Sequence, residues 1–152
     1  ADAYRDDVAA NLAVAERWVT EHPDTEFDFF LPPYSILFWD KVIREGRTEA
    51  VFAAIRQAGQ TLLQYDNVKF YGYLMDPEIV TNLDNYCDYI HHSGGVCREI
   101  LTMLQREEGR LTEENLEETL ANWREFVVHY DYDQFWDERF WIQWNAEHAA
   151  AP

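Results

Sequence analysis

Apolar residues at the start of the chain recur at helical spacing. Val8, Leu12, Ala15 and Val19 share one face of residues 7–21, Asp6 or Asp7 is available as N-cap, and Pro23 ends the run. Residues 26–31 follow, a short apolar stretch rich in aromatics and stopped by Pro32-Pro33, which predicts a buried strand ending abruptly in a loop. Ile36 to Arg44 reads as a short helix closed by Gly46. Thr48 to Gln64 reads as a longer amphipathic one with Val51, Ile55, Ala58 and Leu62 on one face. Asn67 opens a second predicted strand over 68–74, and residues 76–85 read as loop or a single turn. Gly94-Gly95 precedes a helix over 96–106. Thr112, with Asn115 three residues on, has the look of a capping box at the start of a helix reaching about His129. Residues 130–152 form a tail, expected to be helical and crowded with aromatics in Phe135, Trp136, Phe140, Trp141 and Trp144.

This alternation predicts an α/β fold with a parallel sheet covered by helices on both faces. Only two strands are convincing, and two parallel strands leave both outer edges open. The expectation is therefore a single domain, 1–152, that forms part of a larger sheet. Completion would come from the N-terminal remainder of the same protein, or from a homodimer formed through the open sheet edge or the aromatic tail.

Composition narrows the partners. Twenty-nine acidic residues face 12 basic ones, for a net charge of −17, which excludes a phosphate-binding surface and hence nucleic acid. The same charge disfavours anionic lipid. No apolar run approaches the roughly 18–20 residues of a membrane span. The chain opens at Ala1 without an initiator Met, which fits a processed protein or a fragment. Cys87 and Cys97 either pair in an oxidising compartment or remain as buried thiols; their spacing is not a zinc pattern.

The candidate chemistry lies in residues 82–93, after the second strand, at the end of a parallel sheet where ligand crevices form. There Asp88 precedes His91 by three residues, a spacing at which a carboxylate can accept the Nδ1 proton of an imidazole and leave Nε2 as a general base. A capping Asp beside a surface His has the same spacing. Residues 29–35 end the first strand in a sharp turn, so Tyr34 and Ser35 are candidates to line the same crevice; the bland alternative makes Ser35 the N-cap of the next helix.

Three linked segments then carry a resemblance. The blocks Phe29-Phe-Leu-Pro-Pro-Tyr-Ser-Ile-Leu-Phe-Trp-Asp40, Leu62-Leu-Gln-Tyr-Asp-Asn-Val-Lys-Phe70 and Asn82-Leu-Asp-Asn-Tyr-Cys-Asp-Tyr-Ile-His-His-Ser93 resemble, in this order, the C-terminal half of bacterial SGNH/GDSL-like surface proteins of the DltD-like kind. The resemblance implies a flavodoxin-like three-layer α/β/α fold represented by its later parallel strands. It implies a serine esterase or O-acyltransferase acting on acyl esters of a cell-envelope polymer or polysaccharide, at the extracytoplasmic face of a bacterial membrane and anchored by an N-terminal segment. No cofactor is implied. Asp88 becomes the orienting acid and His91 the base; Tyr34, Ser35 and His92 become substrate-binding residues. The nucleophile is missing: the serines are Ser35 and Ser93, neither in a Gly-x-Ser setting, so the chain alone is predicted to be inactive.

Two other classes compete. A metal site drawn from Asp84, Asp88, His91 and His92, with Asp131, Asp133 and Asp137 in reserve, matches no compact ligand motif, and none is predicted. A non-catalytic carbohydrate- or protein-binding module suits the acid excess and aromatic tail.

Overall fold

The computed structural model describes residues 2–137. Along the chain run α1 (Asp2–Glu21), β1 (Phe27–Phe30), α2 (Ile36–Arg44), α3 (Thr48–Leu62), β2 (Val68–Tyr71), α4 (Pro77–Val80), α5 (Gly94–Gln105), β3 (Arg110–Leu111) and α6 (Leu116–His129). Short 3-10 turns at Tyr73–Met75, Leu83–Asn85 and Asp133–Phe135 fill the connections. The chain is α/β, as the alternation of patterns predicts.

The sheet is small and mixed, in the order β1-β2-β3. β1 lies parallel to β2 with Phe27 opposite Val68 and Phe30 opposite Tyr71. β3 runs antiparallel, Leu111 opposite Phe70 and Arg110 opposite Tyr71. An all-parallel sheet was expected; a flavodoxin-like sheet is not established by three short strands of mixed direction. β3 closes the far edge of β2, so one of the two open edges foreseen from the sequence is covered. β1 remains the outer strand among the described residues.

β2 also ends earlier than its apolar run. The predicted strand to residue 74 stops at Tyr71, because the chain bends at Gly72 and closes a turn through Met75 N–H to the Gly72 carbonyl (2.8 Å). Gly72 N–H is taken by the Gly109 carbonyl (3.0 Å) and Leu74 N–H by Leu31 (3.0 Å), so the backbone is still satisfied after the ladder ends.

Alternation along β2 sorts its side chains into two cores. Val68 and Phe70 enter the larger one, with Val19 of α1, Ile36, Trp39 and Val42 of α2, Phe52 and Ile55 of α3, and Leu120, Trp123 and Val127 of α6. Tyr71 enters a smaller cluster with Tyr73, Ile79, Val96 and Ile100, which belongs to α4 and α5. Trp39 sits at the aromatic centre of the larger core, 5.2 Å from Phe52 and 6.0 Å from Trp123 between ring centroids. α3 and α6 approach closely because Gly59 has no side chain: a Cβ there would lie 2.7 Å from Leu116 Cδ2.

The start of α6 shows why helix ends are hard to place by motif. Thr112 and Asn115 do exchange hydrogen bonds, Thr112 N–H to Asn115 Oδ1 (2.8 Å) and Asn115 N–H to Thr112 Oγ1 (3.2 Å), but regular helix begins only at Leu116. In the tail, Phe135 stacks on Tyr130 (6.3 Å) and packs on the main core. Phe140, Trp141 and Trp144 lie outside the described residues. None of the described helices is long and apolar enough to cross a membrane.

Leu120 is 1% exposed and fills the α6 contact with the core. Leu120→Ala should cost about 2–5 kcal/mol, the usual range for a buried leucine that leaves a cavity. Urea unfolding checks this; a loss below about 1 kcal/mol would mean that α6 is not part of the main core.

Candidate functional site

The segment after α4 is held as a unit before any side chain acts. Asn82 accepts from Asp84 N–H through Oδ1 (3.2 Å), and the chain then turns at Leu83–Asn85. Tyr86 pairs with His92 in an antiparallel bridge, Cys87 N–H reaches the His91 carbonyl (3.0 Å), and Ser93 N–H reaches the Asn85 carbonyl (2.7 Å). Residues 86–92 are thus a small closed hairpin-like loop. Two further bonds fasten it to the turn after β1. The Tyr86 hydroxyl donates to the Pro33 carbonyl (2.8 Å), and the Tyr89 carbonyl accepts from both Ser35 N–H (3.1 Å) and Ser35 Oγ (2.9 Å). Burial pushes the Tyr86 phenol upward, so it stays a neutral donor.

At the tip of this loop Asp88 and His91 meet. Asp88 Oδ1 accepts the backbone N–H groups of Ile90 (2.8 Å) and His91 (2.7 Å), while Oδ2 lies 2.6 Å from His91 Nδ1. The carboxylate accepts throughout, so Nδ1 carries the ring proton and Nε2 is left as an acceptor. The imidazole and the two backbone donors hold the Asp88 carboxyl at about 2, below its ordinary value. Both side chains are on the surface, the His91 side chain 69% exposed.

Beside this pair lies a cleft of about 500 Å³ between α2 and the loop. It is lined by Leu37, Asp40, Lys41 and Arg44 on one side, by Leu83, Tyr86, Cys87, Asp88 and Tyr89 on the other, and by Trp136. Asp40 is nearly fully buried, and its carboxylate is matched from two directions: Arg44 Nη2 lies 2.7 Å from Oδ1, and the Trp136 indole N–H donates to Oδ2 (2.9 Å). Lys41 is held by Glu45 at 2.5 Å. The charged groups of the cleft therefore already have partners within the protein, and what faces the space is mainly leucine, tyrosine and tryptophan.

The residues singled out from the sequence divide accordingly. Asp88 and His91 come together, and Asp88 lines the cleft. Tyr34 instead packs at a tilt against Phe38 (5.0 Å between ring centroids), outside the cleft lining. Ser35 is completely buried; it occupies the N-cap position of α2 but spends its hydroxyl on Tyr89 rather than on the helix. His92 turns its Nδ1 to Cys97 Sγ (3.6 Å). The second serine, Ser93, caps α5. Both cysteines are exposed free thiols, not buried ones. Among the described residues no group of three or more His, Cys, Asp or Glu side chains is placed to hold a metal ion. Asp40, Leu37 and Trp136 were missed: one acid inside an apolar helix, Ile36-Leu-Phe-Trp-Asp-Lys-Val42, is the sequence signal that marks a buried, partnered carboxylate.

Comparison with known proteins gives a different relationship from the one the three segments suggested. The chain is 26% identical over 90 residues to a UPF0735 ACT domain-containing protein of Lacticaseibacillus casei, covering 59% of this chain and 62% of that protein. It matches the protein of the same name from Lacticaseibacillus paracasei to the same extent. The chain thus spans less than two thirds of the curated relatives it matches. No family model matches, and no solved structure matches. These relatives overturn the SGNH/GDSL-like assignment, and with it the serine esterase or O-acyltransferase activity and the cell-envelope role inferred from it.

The Asp88 carboxyl supplies a direct check of the loop. Its folded value is depressed, so its contribution is present above the ordinary carboxylate range and is lost as pH falls through about 2. A ¹³C titration of the side-chain carboxyls should place its midpoint near 2, and His91→Ala, which removes the imidazole but keeps both backbone donors, should move it part of the way up toward the ordinary value of about 4. A wild-type midpoint already near 4 would mean that the loop does not hold this geometry in solution.

Proposed function

We propose that this chain is a small-molecule-binding α/β module whose cleft between α2 and the loop 83–89 takes a ligand with a largely apolar, flat body. One observation carries the reading: the cleft is wide enough for a small organic molecule, yet Asp40, Arg44 and Lys41 are each held in an ion pair and Asp88 is hydrogen-bonded by His91 and two backbone N–H groups. A charged ligand would have to break one of these pairs. An apolar one gains from Leu37, Leu83, Tyr89 and Trp136 without doing so.

The outer edge of β1 supports a second element of the proposal. A further strand, from additional polypeptide of the same protein or from a second copy, pairs there, because the backbone on that side has no strand against it among the described residues. Light scattering of the isolated chain should then show self-association; a monodisperse monomer removes the second-copy version.

A neutral fluorophore tests the cleft without interference from the charge of −17. N-phenyl-1-naphthylamine should bind saturably with one site per chain. Leu37→Asp, on the half-exposed face of α2, should weaken binding by about tenfold or more, since it sets an unpaired charge in the apolar lining. Absence of saturation, or equal binding by a folded Leu37→Asp variant, would end this reading.

A further inference from the structure

The two cysteines sit on either side of the His91-His92 pair, and each faces a different kind of partner. Cys87 Sγ lies 3.2 Å from the His91 carbonyl oxygen, to which its S–H donates. A carbonyl oxygen accepts that bond but cannot carry the proton away. Cys97 Sγ lies 3.6 Å from Nδ1 of the His92 imidazole, within reach of a sulfur hydrogen bond. With its ring proton on Nε2, that imidazole receives the thiol hydrogen bond on a nitrogen that can also serve as a base. The backbone holds the two groups in register. His92 is fixed by its bridge to Tyr86, and the next residue, Ser93, caps the helix α5 that carries Cys97. Both thiols are exposed, so access alone does not separate them.

We infer that Cys97 and His92 form a nucleophilic thiol–imidazole pair, and that Cys97 is the position at which small-molecule disulfides modify this protein. His92 Nδ1 takes the Sγ proton, and the thiolate attacks one sulfur of the incoming disulfide. A new S–S bond forms at Cys97 as the old one breaks. The departing thiolate collects the proton from the imidazolium, so Cys97 is oxidised, one half of the disulfide is reduced, and no other reactant is needed. Neither the cleft nor the Asp88–His91 pair takes part, so the inference stands apart from the proposed ligand binding.

The test uses the whole chain and 4,4′-dithiodipyridine, a neutral disulfide that the protein's negative charge does not repel. Brief exposure followed by peptide mass mapping should show Cys97 reacting about tenfold faster than Cys87, the scale on which a paired base separates exposed thiols. His92→Gln keeps a polar side chain but cannot take up the proton. It should bring Cys97 down to the rate of Cys87 while leaving Cys87 unchanged, with the circular dichroism spectrum confirming the fold. Wild-type rates that are equal, or a faster Cys87, overturn the inference even if the variant fails to fold. A fast Cys97 that survives His92→Gln overturns the role of the imidazole.

Discussion

The candidate site depends on one fastening: the Tyr89 carbonyl held by both donors of Ser35, with the Tyr86 hydroxyl returning to the Pro33 carbonyl. These bonds join the turn after β1 to a loop more than fifty residues later. Ser35 is fully buried, so its hydroxyl has no water to turn to, and leaving it or its partner unpaired carries the full desolvation penalty. The tie places the loop over α2, which creates the cleft, and it sets the base from which Asp88 and His91 project.

Charge in the cleft is organised by pairing rather than by exclusion. A buried carboxylate without partners is too costly to keep, and Asp40 is retained because Arg44 and Trp136 reach it from two sides. The same contact brings the segment after α6 back onto α2, so the aromatic end of the described chain docks on its own domain. At the surface, Asp88 shows the cheaper form of the same logic: three hydrogen bonds keep it ionised and hold the neighbouring imidazole in one tautomer. An imidazole held this way is equipped to accept a hydrogen bond or a proton, and the geometry by itself does not assign it a reaction.

The three segments that pointed to a hydrolase family are also the segments the fold brings together. Residues 29–35 end β1, residues 62–70 run into β2, and residues 82–93 make the loop tied to the first of them. Crevices form at the carboxyl ends of parallel strands in α/β sheets generally. That is a property of α/β packing, and the relatives found by comparison carry a different name. A short motif constrains local geometry more tightly than it constrains chemistry.

Local pattern alone was enough to place the helices of residues 36–44, 48–62 and 94–105 and the two parallel strands, since a 3.6-residue period and short aromatic runs before Pro-Pro are decided within each segment. The Asp88–His91 contact was also legible, because three residues on one turn leave the two side chains few other places to go. What tertiary structure alone decided are the long-range choices. Strand β3, two residues long, exists only because Arg110 and Leu111 meet β2. Ser35 faces Tyr89 rather than solvent, and His92 faces Cys97 rather than the cleft, although neighbouring residues in sequence gave no sign of it. Asp40 lines a pocket because Trp136, ninety-six residues later, folds back to meet it. Contacts of that reach depend on how layers stack, and no periodicity along the chain encodes the stacking.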